Sequence, residues 1–256
     1  MNPILPVAAL AALLVLPTQA AEPVHMIHKP LIHTSPAGGE LKAQLIQPEA
    51  GGEKLPLVVL LHGAGERGGD NEIQLKHGAR PLMAWLEKNR QPAYALFPQC
   101  PTDHKWVEVD WSAPRHTFSA EPTAELRMVL EVVDGLVADG RVDPDRVYIG
   151  GLSMGGFGTW DLLAREPKRF AAAFPICGGG DPATVSRFAH VPVRVFHGTQ
   201  DTTVKPVRST EMVAALKAAG GKVEYTEYPD LAHDSWTRTF ASEDFWAWLF
   251  AQKRIP

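Results

Sequence analysis

Apolar residues gather in short blocks separated by longer stretches of mixed character. Blocks of strand length fall at 57–61, 93–97, 147–150, 171–176, 191–196 and 223–228. Several are apolar at every position, as strands of a parallel sheet covered on both faces should be. Segment 41–46 alternates between apolar and polar residues instead, which suits an edge strand. Between the blocks lie helical patterns. Leu126, Val129, Leu130, Val133, Leu136 and Val137 recur at helical spacing, with Glu121 and Glu125 at the start and Gly140 past the end. Met212, Val213 and Leu216 form a second such face, stopped by Gly220 and Gly221, and Ser242 opens a C-terminal helix carrying Phe245, Trp246, Trp248, Leu249 and Phe250. Strands alternating with helices predict an α/β fold with helices on both faces of a doubly wound sheet. No repeat or linker divides the chain.

The N-terminal segment stands apart. Residues 4–16 are mostly apolar, broken by Pro6, and the first charged side chain is Glu22. A membrane-spanning helix needs about 18 or more apolar residues, so this run is too short. Thr18 and Ala20 are small residues at the −3 and −1 positions of a cleavage site. Residues 1–20 therefore read as a secretory signal peptide and 21–256 as one catalytic domain, secreted or periplasmic, without membrane attachment after cleavage. Composition narrows the partners. The chain is 45% apolar and 21% charged, which excludes disorder, and its net charge of −4 gives no basic footprint for nucleic acid. Two cysteines, Cys100 and Cys177, follow different strands, and the expectation is two buried free thiols.

Gly151-Leu152-Ser153-Met154-Gly155 matches G-x-S-x-G between a strand and a helical stretch. That sharp turn lifts a serine hydroxyl above the sheet, and flanking glycines avoid Cβ clashes within it. A serine hydroxyl needs a histidine to take its proton, and the histidine needs a carboxylate to hold its tautomer. In chain order serine, acid, histidine, the candidates are Asp201, after strand 191–196, and His233, after strand 223–228. Asp181, Asp230 and Asp234 are rival acids; His190 and His197 are the other histidines after Ser153. His190 precedes a strand, at the wrong end of the sheet, and His197 suits a structural role at a strand end. Oxyanion donors are expected at the backbone N–H of Met154 and of Ala64, with Gly65 close behind, in the small-residue segment after strand 57–61. His62 reads as a structural hydrogen-bonding residue.

Two other patterns are weak. Gly63-x-Gly65-x-x-Gly68 fits a dinucleotide fingerprint, but no acidic residue ends the next strand, so no cofactor is expected. His25, His28 and His33 lack further ligands for a zinc set, so no metal is expected and they read as edge-strand residues.

The motifs Leu61-His62-Gly63-Ala64-Gly65-Glu66-Arg67-Gly68, Pro98-Gln99-Cys100-Pro101, Gly151 to Gly156 and His233-Asp234-Ser235-Trp236 resemble the α/β-hydrolase superfamily. More narrowly, they are similar to a group of secreted bacterial hydrolases that goes by the name "predicted peptidase". That group is akin to feruloyl and acetyl-xylan esterases and to polyhydroxybutyrate depolymerases. The resemblance implies a mostly parallel twisted sheet of about eight strands. It also implies serine hydrolysis of carboxylic esters through an acyl-enzyme, without a cofactor. A serine peptidase or an acyltransferase would use the same residues; a non-catalytic binding protein would have no need of all three. The short segment 177–190 leaves no room for a large lid. The longest irregular stretch, 100–120, carries Trp106 and Trp111, and Trp236 follows His233. These tryptophans are expected to edge an open cleft for a short-chain ester or an ester on a sugar, polymer or aryl group.

Overall fold

A computed structural model describes residues 25–49 and 54–254. The expected signal peptide lies outside the described residues. Among the described residues, eight strands make one sheet: β1 (Met26–Thr34), β2 (Glu40–Pro48), β3 (Leu55–Leu61), β4 (Tyr94–Gln99), β5 (Val142–Leu152), β6 (Ala172–Ile176), β7 (Val193–Gly198) and β8 (Val223–Tyr228). Their spatial order is β1-β2-β4-β3-β5-β6-β7-β8. The pairs β1–β2 and β2–β4 are antiparallel and all others are parallel.

Among the described residues, six α-helices cover the sheet: α1 (Ala79–Asn89), α2 (Ala124–Ala138), α3 (Met154–Arg165), α4 (Val207–Ala218), α5 (Trp236–Phe240) and α6 (Glu243–Ala251). Period-two alternation sends Leu57, Val59 and Leu61 of β3 into the core beneath α2, α3 and α4. Val58 and Leu60 enter the second core beneath α1, α5 and α6. A strand buried on both faces has no polar side, which is why β3 and β4 read as continuous apolar blocks.

Two expectations need correction. Segment 41–46 is not an edge: β2 lies between β1 and β4. The edge on that side is β1, whose Lys29, Pro30 and exposed Ile32 give no clean apolar face to read. On it His28 faces Met83 of α1, while His33 bonds Glu131 of α2 at 2.6 Å, so the two histidines leave opposite faces of the sheet. The second correction concerns α2, which starts after Glu121. Thr123 caps it, its hydroxyl accepting from the Leu126 N–H at 3.2 Å. Cys100 and Cys177 are buried free thiols at the ends of β4 and β6, with β3 and β5 between those strands.

Candidate active site

The strand ends after β3, β5, β7 and β8 meet at one edge of the sheet. At the end of β5 the chain reverses into α3 through Ser153, whose φ of 52° and ψ of −116° lie outside the ordinary regions for a side-chain-bearing residue. The Ser153 N–H donates to the Ile176 carbonyl at 2.9 Å, which ties the turn to β6. Gly155 is required for this packing: a Cβ there would lie 2.0 Å from the Leu61 carbonyl oxygen.

His233 and Asp201 reach Ser153 from two neighbouring loops. The Ser153 hydroxyl lies 2.9 Å from His233 Nε2, and His233 Nδ1 lies 2.7 Å from Asp201 Oδ2. A carboxylate only accepts, so Nδ1 carries the proton and the Nε2 lone pair faces the serine. The Asp201 carboxylate is almost fully buried and accepts from Thr203 N–H at 2.8 Å and Val204 N–H at 3.0 Å on its other oxygen. Burial alone would push this carboxyl up. Its bonds from His197, from His233 and from the Val204 N–H outweigh burial and hold it well below the usual carboxylate range.

The two loops are joined by their backbones. Thr199 N–H donates to Tyr228 O and Gln200 N–H to Leu231 O, each at 3.0 Å. Gly198 makes this approach possible, since a Cβ there would lie 2.1 Å from the Ala232 carbonyl oxygen.

The rival acids are engaged elsewhere. Asp181 accepts from Phe118 N–H at 2.9 Å and Ala183 N–H at 3.0 Å. Asp230 is paired with Arg238, and Asp234 accepts from the Thr237 N–H and hydroxyl.

The loop after β3 runs beside the nucleophile: the Cβ position of Gly63 lies 3.6 Å from Ser153 Cβ. Ala64 and Gly65 follow in a 3₁₀ turn, Ala64–Glu66. Met154 is the first residue of α3, so its N–H has no partner within the helix. His62 anchors the loop from beneath. Its Nδ1 lies 2.6 Å from the Gly63 carbonyl, and its Nε2 accepts from the Cys100 N–H at 2.9 Å. Burial lowers it to about 4, so it stays neutral.

The three tryptophans differ. Trp236 stands edge-on to His233, ring centroids 5.3 Å apart, and against His77 at 5.4 Å. Trp111 is partly buried, with the Arg67 and Lys105 cations 5.9 and 5.1 Å from its ring centroid. Trp106 does not edge the cleft. It is fully buried, its indole N–H donates to the His62 carbonyl at 3.0 Å, and it packs edge-on against the His62 ring. Its bulk joins loop 100–123 to the core, a placement that loop position alone does not reveal.

Among the described residues, one convergence of potential metal ligands exists: Cys177, Asp201 and His233, with ligand atoms within 4.8 Å of one another. Two of these already share a hydrogen bond. Burial pushes the Cys177 thiol up, so it is no ready anionic ligand.

A secreted protein of Arthroderma benhamiae is 27% identical over 226 residues, covering 75% of this chain and 22% of its own. Poly(3-hydroxyalkanoate) depolymerase C of Paucimonas lemoignei is 31% identical over 126 residues, covering 48% of this chain and 28% of its own. The chain thus spans roughly a quarter of the length of these relatives. The solved structure of a thermostable esterase superposes with a TM-score of 0.80 at 36% identity, over 89% of this chain and 63% of that one. The sequence pattern described as Phospholipase/Carboxylesterase matches residues 43–244. With the eight-stranded sheet and the strand-to-helix turn at Ser153, that match over most of its length makes this chain a member of the phospholipase/carboxylesterase family of α/β hydrolases.

Proposed function

We propose that the protein is an exported serine esterase that cleaves carboxylic esters through an acyl-enzyme. The observation that carries this reading is the hydrogen-bonded series Ser153, His233, Asp201 at the N-terminus of α3. Ser153 Oγ attacks the ester carbonyl carbon as its proton passes to His233 Nε2. The Nδ1–H bond to Asp201 keeps the ring oriented and stabilises the imidazolium that forms. Negative charge builds on the carbonyl oxygen, where the Met154 and Ala64 N–H groups are the donors. Collapse of the tetrahedral species breaks the ester C–O bond, and the Nε2 proton goes to the leaving alkoxide. Water then enters, gives its proton to Nε2 and attacks the acyl carbon, which restores Ser153 and releases the acid.

The substrate is a short-chain, aryl or polymer-borne ester bound in an open cleft edged by Trp111 and Trp236. Two features support this. The connection between β6 and β7 holds only a short 3₁₀ turn, Pro182–Arg187, where a large lid would sit. Trp236, partly buried, stands 5.3 Å from the ring of the base and supplies aromatic surface next to it. A relative that depolymerises poly(3-hydroxyalkanoate) is consistent with an ester of this kind. Residues 1–20 act as the export signal, in keeping with a relative described as secreted. N-terminal sequencing of the periplasmic or secreted product should begin at Ala21.

Turnover of nitrophenyl esters of rising acyl length, a feruloyl ester and a peptide anilide tests the activity. Short-acyl and aryl esters should be preferred, the anilide should be turned over poorly, and no jump should occur at an oil–water interface. Trp236→Ala should raise KM for the aryl ester by about tenfold, the worth of one aromatic contact. Preference for long-chain emulsions or for the anilide would overturn the reading.

A further inference from the structure

Asp201 serves two histidines. The second, His197, closes β7 and has no solvent exposure. Its Nε2 lies 3.1 Å from Asp201 Oδ2, the same oxygen that receives His233 Nδ1, and 2.9 Å from the Val204 carbonyl oxygen. A carbonyl has no proton to give, so Nε2 must carry one and donate to both oxygens. On the far side of the ring, His197 Nδ1 lies 2.7 Å from the hydroxyl of buried Ser209, which lies 3.0 Å from the Gly178 carbonyl. Ser209 can give its one proton to Nδ1, or give it to Gly178 and receive one from Nδ1. The first leaves the ring neutral and the second makes it an imidazolium; in both, Nε2 keeps its proton and directs it at Asp201.

From this geometry we infer that His197 is a positioning residue that sets the basicity of the His233–Asp201 pair. The inference rests on the proposed roles of Ser153, His233 and Asp201. Two donors compete for the charge on Oδ2. The His197 bond draws charge away from the oxygen facing His233, so the imidazolium form of His233 gains less than it would from an Asp201 with His233 alone. His233 must be neutral to accept the serine proton, so His197 keeps it a competent base at lower pH. It also fixes the carboxylate plane, which the Thr203 and Val204 N–H groups hold from the other oxygen.

Other charged groups near His233 do not play this part. The Cys177 thiol is within 4.8 Å but kept protonated by burial. The Glu66–His77 pair lies behind Trp236, and Asp234 is turned to Thr237.

The test compares His197→Phe, which removes the donor at similar volume, with His197→Gln, whose amide nitrogen reaches the place of Nε2. The readout is the pH profile of kcat/KM on a short nitrophenyl ester. In His197→Phe the acid limb should move up by about half a pH unit or more, kcat should fall at least about tenfold, and KM should change little. His197→Gln should return the limb most of the way. An unmoved limb, with kcat lost equally in both variants, would reduce His197 to packing and overturn the inference. Should His197→Phe fail to fold, ¹⁵N-histidine correlation spectra of the wild-type enzyme decide: His197 Nε2 must stay protonated from about pH 5 to 9, bracketing the ordinary imidazole range, and loss of that proton within this range overturns the inference. Ser153→Ala and Asp201→Asn separate the two levels of the argument. If either keeps wild-type turnover, the underlying triad reading is what has failed.

Discussion

At position 153 the backbone takes a conformation that costs of order 1–3 kcal/mol for a residue with a side chain, and the surrounding packing holds it there. The strain places the hydroxyl 2.9 Å from His233 Nε2. Ser153→Ala should therefore lower kcat by about 10⁴-fold while leaving the fold intact, and His233→Ala by a similar factor. The double variant should be scarcely worse than either single one, because the two side chains act as a unit; additive losses in steady-state kinetics would contradict this. Ser153, Asp201 and His233 were legible because a nucleophile turn and a fixed chain order restrict the choice. Chain position alone favours Asp201 over its rival Asp181; hydrogen bonding then puts Asp201 against His233 and Asp181 against the Phe118 and Ala183 N–H groups. Trp106 was misread because sequence supplies a residue type in a loop but not its exposure. The contact of His197 with Asp201 runs across a strand-end turn rather than along a helix, so no helical or strand period reports it.

Elements meet at this site through glycines, and two of them make separable predictions. Gly155 lies where α3 crosses the end of β3, and Gly198 where the acid loop touches the base loop. Gly155→Ala forces a helix away from the sheet and should cost several kcal/mol, read as a large drop in Tm or loss of soluble protein. Gly198→Ala displaces two surface loops. It should lower kcat by at least about tenfold, since misplacement by an ångström at a reacting centre can cost a hundredfold, with a smaller loss of Tm. If Gly198→Ala turned over ester at the wild-type rate, the two loops would not be coupled as described. Most strands were readable as apolar blocks, because burial on both faces removes polar positions. The exceptions follow the same physics. Strand β1 is an edge with Lys29 and Pro30, and α5 has only five residues, too few for a helical period to emerge.

Across the whole molecule, buried neutral histidines tie stability to pH. An imidazole in the unfolded chain takes up a proton near its ordinary value of about 6.5, whereas folded His62 resists until about 4. Between these values the unfolded state binds more protons, so stability rises with pH and is lost on acidification, by up to about 1.4 kcal/mol per pH unit for one such group. His116, lowered to about 4 by burial and by Arg208, acts in the same direction. Chemical denaturation should therefore show a falling unfolding free energy from about pH 6.5 to 4, ahead of most carboxylate titration. A flat profile over that window would mean these rings are not held neutral in the fold. The central claim is covalent catalysis at Ser153, and rapid mixing with a short nitrophenyl ester followed by acid quench and peptide mass mapping tests it most directly. One acyl group per molecule, on the peptide bearing Ser153 and absent from Ser153→Ala, is the predicted result. Acyl label on another residue, or undiminished turnover by Ser153→Ala, would contradict it.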